Sequence, residues 1–171
     1  MANLRSESEI ERFLQPKIVI IVDEILKGIE EWNQREIERV VYAAGQPDVY
    51  QRADPEENFA SAWEGTITKS TVHEVEGTFY YEPNNMSVGT SLDGEHVAMF
   101  SSEKYGTDPG FDMRPYLAEI IYEGLAGHIF GSGFWTEKRD AWERLIKIVG
   151  GSKMRTWINR GARRARLKIS W

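Results

Sequence analysis

The chain has 171 residues, of which 41% are hydrophobic and 28% charged, and its formal net charge is −6. This length and composition are typical of a single folded domain and exclude an intrinsically disordered chain. The absence of cysteine excludes disulfide bonds, thiolate metal sites and cysteine nucleophiles.

The N-terminal quarter of the sequence predicts helices. Two overlapping capping boxes, Ser6-x-x-Glu9 and Ser8-x-x-Glu11, predict a short helix within residues 1–15. Because proline is tolerated in the first turn of a helix, a second and longer helix is predicted to start at Pro16 and to end at about Ala44.

The longer helix carries one apolar stripe, which we expect to face the core. The stripe comprises Ile18, Val22, Ile25, Ile29, Trp32, Ile37, Val40, Val41 and Ala44. The acidic residues between these positions, Glu24 among them, are expected to face solvent. Five consecutive β-branched residues at 18–22 leave a strand open as an alternative for that part of the chain.

The middle of the chain predicts a loop followed by antiparallel strands. Residues 46–60 are polar and contain two prolines, which is typical of a loop. Short runs rich in Thr, Val, Tyr and Phe then alternate with turn residues. The predicted strands are residues 63–72, 75–82, 86–92 and 95–101. Asp93-Gly94 provides a tight hairpin turn, and one face of the sheet is expected to pack on the long helix.

The C-terminal part predicts further helices. Their predicted extents are Arg114–Tyr122, Thr136–Val149 and Lys153–Arg164, with a glycine-rich turn at 124–133, a helix end at Gly150-Gly151 and a final edge strand at 167–171. The predicted fold class is therefore α+β, with a long N-terminal helix packed on a small antiparallel sheet and with C-terminal helices. We expect a single domain over residues 1–171, with the short helix in 1–15 and a basic extension at 152–171.

The sequence gives no pattern typical of a catalytic or cofactor site. His73, His96 and His128 have no zinc-ligand spacing, and the glycine-rich turn lacks the lysine of a phosphate-binding loop. Adjacent carboxylates on a helix do not converge on one point. We predict no catalytic residue, no metal and no cofactor; an enzyme that uses His96 or His128 is the alternative.

The charges are polarised along the chain. Residues 1–131 hold 10 Lys+Arg and 24 Asp+Glu, a balance of −14, whereas residues 132–171 hold 11 and 3, a balance of +8. Opposite charges at two ends suit head-to-tail packing of identical copies, because they steer association. A basic segment that merely neutralises an acidic domain is the alternative explanation.

The basic C-terminal segment is the candidate interface. Its residues are Arg155, Arg160, Arg163, Arg164, Arg166 and Lys168. With Trp157 and Trp171 available for stacking, this segment is suited to nucleic-acid binding. Alternatively, Trp157 faces the domain and the outward arginines dock on an acidic neighbour through bidentate pairs with carboxylates.

Two stretches give the sequence a resemblance to a known family. They are Met113-Arg-Pro-Tyr-Leu-Ala-Glu-Ile-Ile-Tyr-Glu-Gly124 and Gly131-Ser-Gly-Phe-Trp-Thr-Glu-Lys-Arg-Asp-Ala-Trp142, which follow Val88-Gly89-Thr90. With these motifs the chain resembles the tail-completion or head–tail joining proteins of long-tailed bacteriophages. The resemblance covers roughly residues 86–149.

The resemblance implies a structural virion protein of the phage neck. Its expected role is a ring-forming tail-completion, tail-terminator or head-closure subunit that joins head to tail. The implied partners are copies of itself and other neck, portal-side or tail-tube proteins, with passing contact with DNA and none with a membrane. The longest apolar run, residues 18–22, is far shorter than the roughly 20 residues that span a bilayer. We expect assembly in the host cytoplasm and residence in the virion.

Overall fold

A computed structural model of the chain describes residues 6–42, 59–85, 118–119, 122 and 139–170. Its fold is α+β, as predicted, with a long N-terminal helix, a two-stranded antiparallel sheet and two C-terminal helices. The predicted strands 86–92 and 95–101, the glycine-rich turn at 124–133 and most of the loop at 46–60 lie outside the described residues.

The N-terminal segment forms one continuous helix, α1, over Glu7–Ile37. The predicted capping box is present, since Ser6 Oγ accepts a hydrogen bond from the Glu9 amide and Glu9 Oε2 accepts one from the Ser6 amide, both at 3.3 Å. The prediction of a separate helix in 1–15 is wrong, because α1 continues through Pro16. Proline removes one helical hydrogen bond and costs about 3 kcal/mol, and we attribute the continuity to packing along the rest of α1.

The end of α1 also differs from the prediction. A π-helix follows it directly at Glu38–Tyr42 and carries the helical segment nearly to the predicted end at Ala44. Residues 18–22 are helical, so the alternative of a strand there is wrong. Their β-branched side chains are accommodated because the segment lies inside a long helix that is already nucleated on both sides.

The described sheet is a hairpin of β1, Trp63–Ser70, and β2, Val75–Tyr81, close to the predicted 63–72 and 75–82. The Thr71 amide donates to the Glu74 carbonyl at 2.7 Å and closes the turn. Two glycines allow the strands to approach α1, because a Cβ on Gly65 would lie 2.8 Å from Leu26 Cβ and one on Gly77 2.9 Å from Val22 Cγ1. The prediction that the sheet packs on the long helix is confirmed for this hairpin.

Two helices close the described chain: α2 over Ala141–Val149 and α3 over Ser152–Arg164. Gly150 and Gly151 separate them, as predicted. The predicted start of α2 at Thr136 is wrong, because Arg139 and Asp140 are not helical. The first helical bond runs from the Arg144 amide to the Asp140 carbonyl, at 3.0 Å, so Asp140 is the N-cap.

The segment after α3 is not the predicted strand over its described residues 167–170. The Leu167 amide donates to the Ala162 carbonyl at 2.8 Å and the Arg166 amide to the Arg163 carbonyl at 3.1 Å, which together form a Schellman motif. The motif requires a left-handed residue, and Arg166 has φ 55°. The amide of Leu167, the first residue of the predicted strand, is therefore used to end the helix.

The described residues form two compact units. The first unit comprises residues 6–32, 65–80 and 145–170; the second comprises residues 33–42, 59–64, 81–85, 118–119, 122 and 139–144. The buried side chains of the first unit are Leu26, Ile29, Leu145, Trp157, Ala162 and Ala165, and those of the second are Ile37, Phe59, Ala60, Ala62, Trp63, Tyr122 and Ala141. The expectation of a single domain over 1–171 stays a prediction.

Candidate interface on the C-terminal helix

Helix α3 is fixed to α1 by close approach at two glycines. The Trp157 indole lies over Gly28, where an added Cβ would come within 2.4 Å of Trp157 Cδ1, and Gly161 lies against Ile21, where an added Cβ would be 2.7 Å from the Ile21 Cα. Lys17 Nζ donates to the Ala165 carbonyl at 2.7 Å. Of the two alternatives that the sequence left open for Trp157, the structure therefore has the one in which its side chain faces the domain.

These contacts set the direction of the pair. Trp157 meets Gly28, Gly161 meets Ile21 and Ala165 meets Lys17. Residue numbers rise along α3 while they fall along α1, so the two helices run antiparallel. The C-terminal end of α3 thus lies near Lys17, ten residues after the start of α1 at Glu7.

The buried carboxylate of Glu24 forms ion pairs with two arginines of α3. Glu24 is only 4% exposed. Arg160 Nε lies 2.5 Å from Glu24 Oε2, and the Arg164 guanidinium contacts Glu24 Oε1. Arg160 also donates to the Glu24 carbonyl at 3.4 Å and lies 3.6 Å from the half-exposed Glu31 carboxylate. The expectation that Glu24 faces solvent is wrong, because α3 covers it and supplies its counter-ions.

The six residues of the candidate interface have different environments. Arg160 and Arg164 contact Glu24, and their side chains are about half exposed. The others, Arg155, Arg163, Arg166 and Lys168, are on the exposed surface. The helix thus does not present one continuous basic strip of free cations, because two of its arginines are engaged within the chain.

The second unit holds another carboxylate network. Glu36 is buried and accepts hydrogen bonds from Arg39 Nε at 3.2 Å and from Arg144 Nη1 at 3.3 Å. Arg144 Nε donates to Asp140 Oδ2 at 2.7 Å, and this bond lowers the pKa of Asp140. The hydrogen bond to Glu36 raises the pKa of Arg39. Both shifts favour the charged forms, so the network is a set of structural ion pairs.

Aromatic rings accompany this network in the second unit. The rings are Phe59, Trp63, Tyr81, Tyr122 and Trp142, with centroids 5.3–6.1 Å apart for the contacting pairs. Asn33 is fully buried, and its side-chain amide has no hydrogen-bond partner among the described residues. These aromatic residues pack against one another and form part of the core of the second unit.

The described residues contain no group of three or more His, Asp or Glu side chains suited to holding a metal. His73 lies in the hairpin turn, exposed, with Nδ1 2.9 Å from Glu11 Oε1. The other two histidines, His96 and His128, lie outside the described residues, so the alternative of a histidine-based enzyme stays untested. In the part of the chain that the structure describes, no helix is long and apolar enough to cross a membrane.

Comparison with protein-family models, with curated proteins and with solved structures finds no match to this chain.

Sequence reasoning missed three buried polar residues, Glu24, Asn33 and Glu36. Glu24 lies three residues after Ile21, on the face that α3 covers, and no local pattern marks it as buried. Recognising it requires knowing that two arginines four residues apart, Arg160 and Arg164, pack on that face.

Proposed function

We propose that this chain is a structural subunit of a bacteriophage neck, a ring-forming tail-completion, tail-terminator or head-closure protein that joins head to tail. It acts by binding copies of itself and neighbouring neck, portal-side or tail-tube proteins, not by catalysis. The proposal rests on the resemblance of residues 86–149 to this family, together with the surface of the first unit.

The observation that carries the proposal is a set of exposed large apolar side chains. They are Ile10, Phe13, Ile18, Val72, Ile146 and Ile169, and all six belong to the first unit. Single exposed apolar residues are common on proteins, but Ile10 and Phe13 are neighbours at i and i+3 on α1, and adjacent exposed apolar residues favour contact with a protein partner. A subunit that is buried among neighbours in an assembly needs such a surface.

The charges of α3 support this proposal over nucleic-acid binding. A helix that binds phosphates needs free cations, because each neutralised phosphate contributes separately to affinity. Two of the six candidate residues, Arg160 and Arg164, already have Glu24 as a counter-ion. Binding through Arg155, Arg163, Arg166 and Lys168 remains the alternative, and in a neck ring these residues account for passing contact with DNA.

Deletion of the gene from the phage that carries it tests the proposal. We expect DNA-filled heads and free tails to accumulate separately in the lysate, and purified protein added to that lysate to restore joined, infectious particles. Electron microscopy and plaque titre measure the two effects. Joined particles at the normal titre without the gene contradict the neck function.

A further inference from the structure

Helix α1 extends well beyond the end of α3. Lys17 donates to the Ala165 carbonyl at the C-terminal end of α3, whereas α1 begins at Glu7. At 1.5 Å per residue, the intervening ten residues project about 15 Å past that contact. We call residues 7–14 the overhang.

The side of α1 that contacts α3 at Lys17, Ile21 and Gly28 continues toward the N-terminus through the overhang. Successive helical residues are 100° apart, so Ile10 and Phe13 lie on the same face as Lys17, Ile21 and Gly28, which contact α3. Ile10 is 43% exposed and Phe13 42% exposed. Within the described chain, the side of α1 that faces α3 is therefore partly exposed to solvent along the overhang.

The opposite end of the first unit carries another exposed apolar residue. Ile146 is 58% exposed, more than any other large apolar side chain of the described residues. It lies beside the Gly150-Gly151 break, in a segment that we call the α2–α3 turn, residues 146–155. This end lies beyond Trp157, and so beyond Gly28 of α1, whereas the overhang lies beyond Lys17.

The overhang and the α2–α3 turn differ in charge. The overhang contains three glutamates and one arginine, whereas the α2–α3 turn contains two lysines, one arginine and no acidic residue. Lys147 and Lys153 are exposed on either side of the glycines. Each of these two segments therefore combines an exposed apolar side chain with a net charge of opposite sign to that of the other segment.

We propose that the overhang of one copy docks on the α2–α3 turn of the next copy, with Ile10 and Phe13 against Ile146. This inference rests on the proposed function, because it names the contact that builds the ring. Two overhangs pairing with each other would place like charges together, which the acidic residues disfavour. A contact between two different surfaces is heterologous, and repeated heterologous contacts close into a ring when their rotation permits.

Two variants test this contact; each disrupts one of the two surfaces and is called a blocked variant. Phe13→Asp retains an intact α2–α3 turn, and Ile146→Asp retains an intact overhang. Both substitutions are at exposed positions, and circular dichroism checks that each variant is folded. We expect either variant alone to be a monomer at concentrations at which the unmodified chain self-associates. An equimolar mixture should give a heterodimer of twice the 19.7 kDa chain mass, because one complementary pair of surfaces remains.

Ile18→Asp is the matched control. Ile18 is on the same helix and 40% exposed, but it lies about 90° around α1 from the strip that α3 covers. This variant should self-associate like the unmodified chain. Light scattering and sedimentation velocity measure the masses in every case.

The outcomes separate this inference from the proposed function. An unmodified chain that stays monomeric overturns the contact, as do blocked variants that still self-associate or a mixture that gives no heterodimer. An Ile146→Asp variant that dimerises by itself indicates pairing of two overhangs instead. If the heterodimer forms but the phage lacking the gene still yields joined particles, the contact holds and the neck function fails.

Discussion

The indole of Trp157 occupies the space that a side chain at position 28 of α1 would need. A Cβ added to Gly28 would lie 2.4 Å from both Cδ1 and Nε1 of Trp157, far inside van der Waals contact. Trp157 is buried, so its ring has little room to move aside. This contact fixes where α3 crosses α1, and hence where α3 ends relative to the overhang.

Gly28→Ala is expected to destabilise the protein by up to about 2 kcal/mol. Alanine gains about 1 kcal/mol of helix propensity over glycine, but overpacking a filled site costs about 1–3 kcal/mol. Urea denaturation of the variant measures the net change. In a Trp157→Leu background the same substitution should cost less or be stabilising, because the indole is gone. An equal loss in both backgrounds contradicts the account.

Glu24→Gln is expected to lower the free energy of unfolding by about 1–3 kcal/mol. Breaking a fully buried ion pair costs about 3–5 kcal/mol, and we reduce this because both guanidiniums reach solvent. Glu31→Gln is the matched control on the same helix. Its carboxylate is half exposed and 3.6 Å from Arg160, so its loss should cost less than about 0.5 kcal/mol. Equal effects of the two variants would show that Glu24 is not the anchor of α3.

Arg166→Gly is expected to stabilise the protein by about 0.5–1 kcal/mol. Arg166 has φ 55° at the left-handed position of the Schellman motif, where glycine carries no steric cost. Thermal denaturation should show a higher melting temperature than for the unmodified chain. Lys168→Gly, two residues further on and outside the motif, should give no such gain. A loss of stability in Arg166→Gly would contradict this C-cap.

The pair of Asp140 and Arg144 is expected to make stability depend on pH at the acidic end. The hydrogen bond from Arg144 lowers the pKa of Asp140 in the folded state below the ordinary value of about 3.9. Its contribution is therefore present above about pH 4 and is lost as the pH falls through the folded-state value. Asp140→Asn keeps a good N-cap and removes the charge.

Unfolding curves of the unmodified chain and Asp140→Asn should differ near neutral pH and converge on acidification. In an Arg144→Gln background, Asp140→Asn should have little effect at any pH. A difference between the unmodified chain and Asp140→Asn that persists unchanged at the acid end would rule out this ion pair as its cause.

The sequence correctly predicted those elements whose ends or periodicity are marked by local residue patterns. Gly150-Gly151 and Ser152 located the start of α3, and the alternation of residues 63–82 located the hairpin. The predicted helix boundary at Pro16 was wrong because the helix-breaking tendency of proline was considered without the packing of α3 and β2 on the residues that follow it.

The candidate interface was predicted only in part. Composition identified α3 as basic, but the pairing of Arg160 and Arg164 with Glu24 joins positions 136 or more residues apart. A helical pattern read over a few turns assigns a carboxylate to solvent unless its distant partner is known. Long-range ion pairs of this kind depend on the tertiary fold.

Light scattering of the purified chain, at low and high salt and with and without duplex DNA, tests the central claim most directly. A ring subunit assembled through the overhang and the α2–α3 turn should have a mass above 19.7 kDa at low salt and close to 19.7 kDa at high salt, and it should not form a stable complex with duplex DNA. A particle that stays at 19.7 kDa and binds duplex DNA with a steep salt dependence would contradict the claim and assign function to the exposed cations of α3.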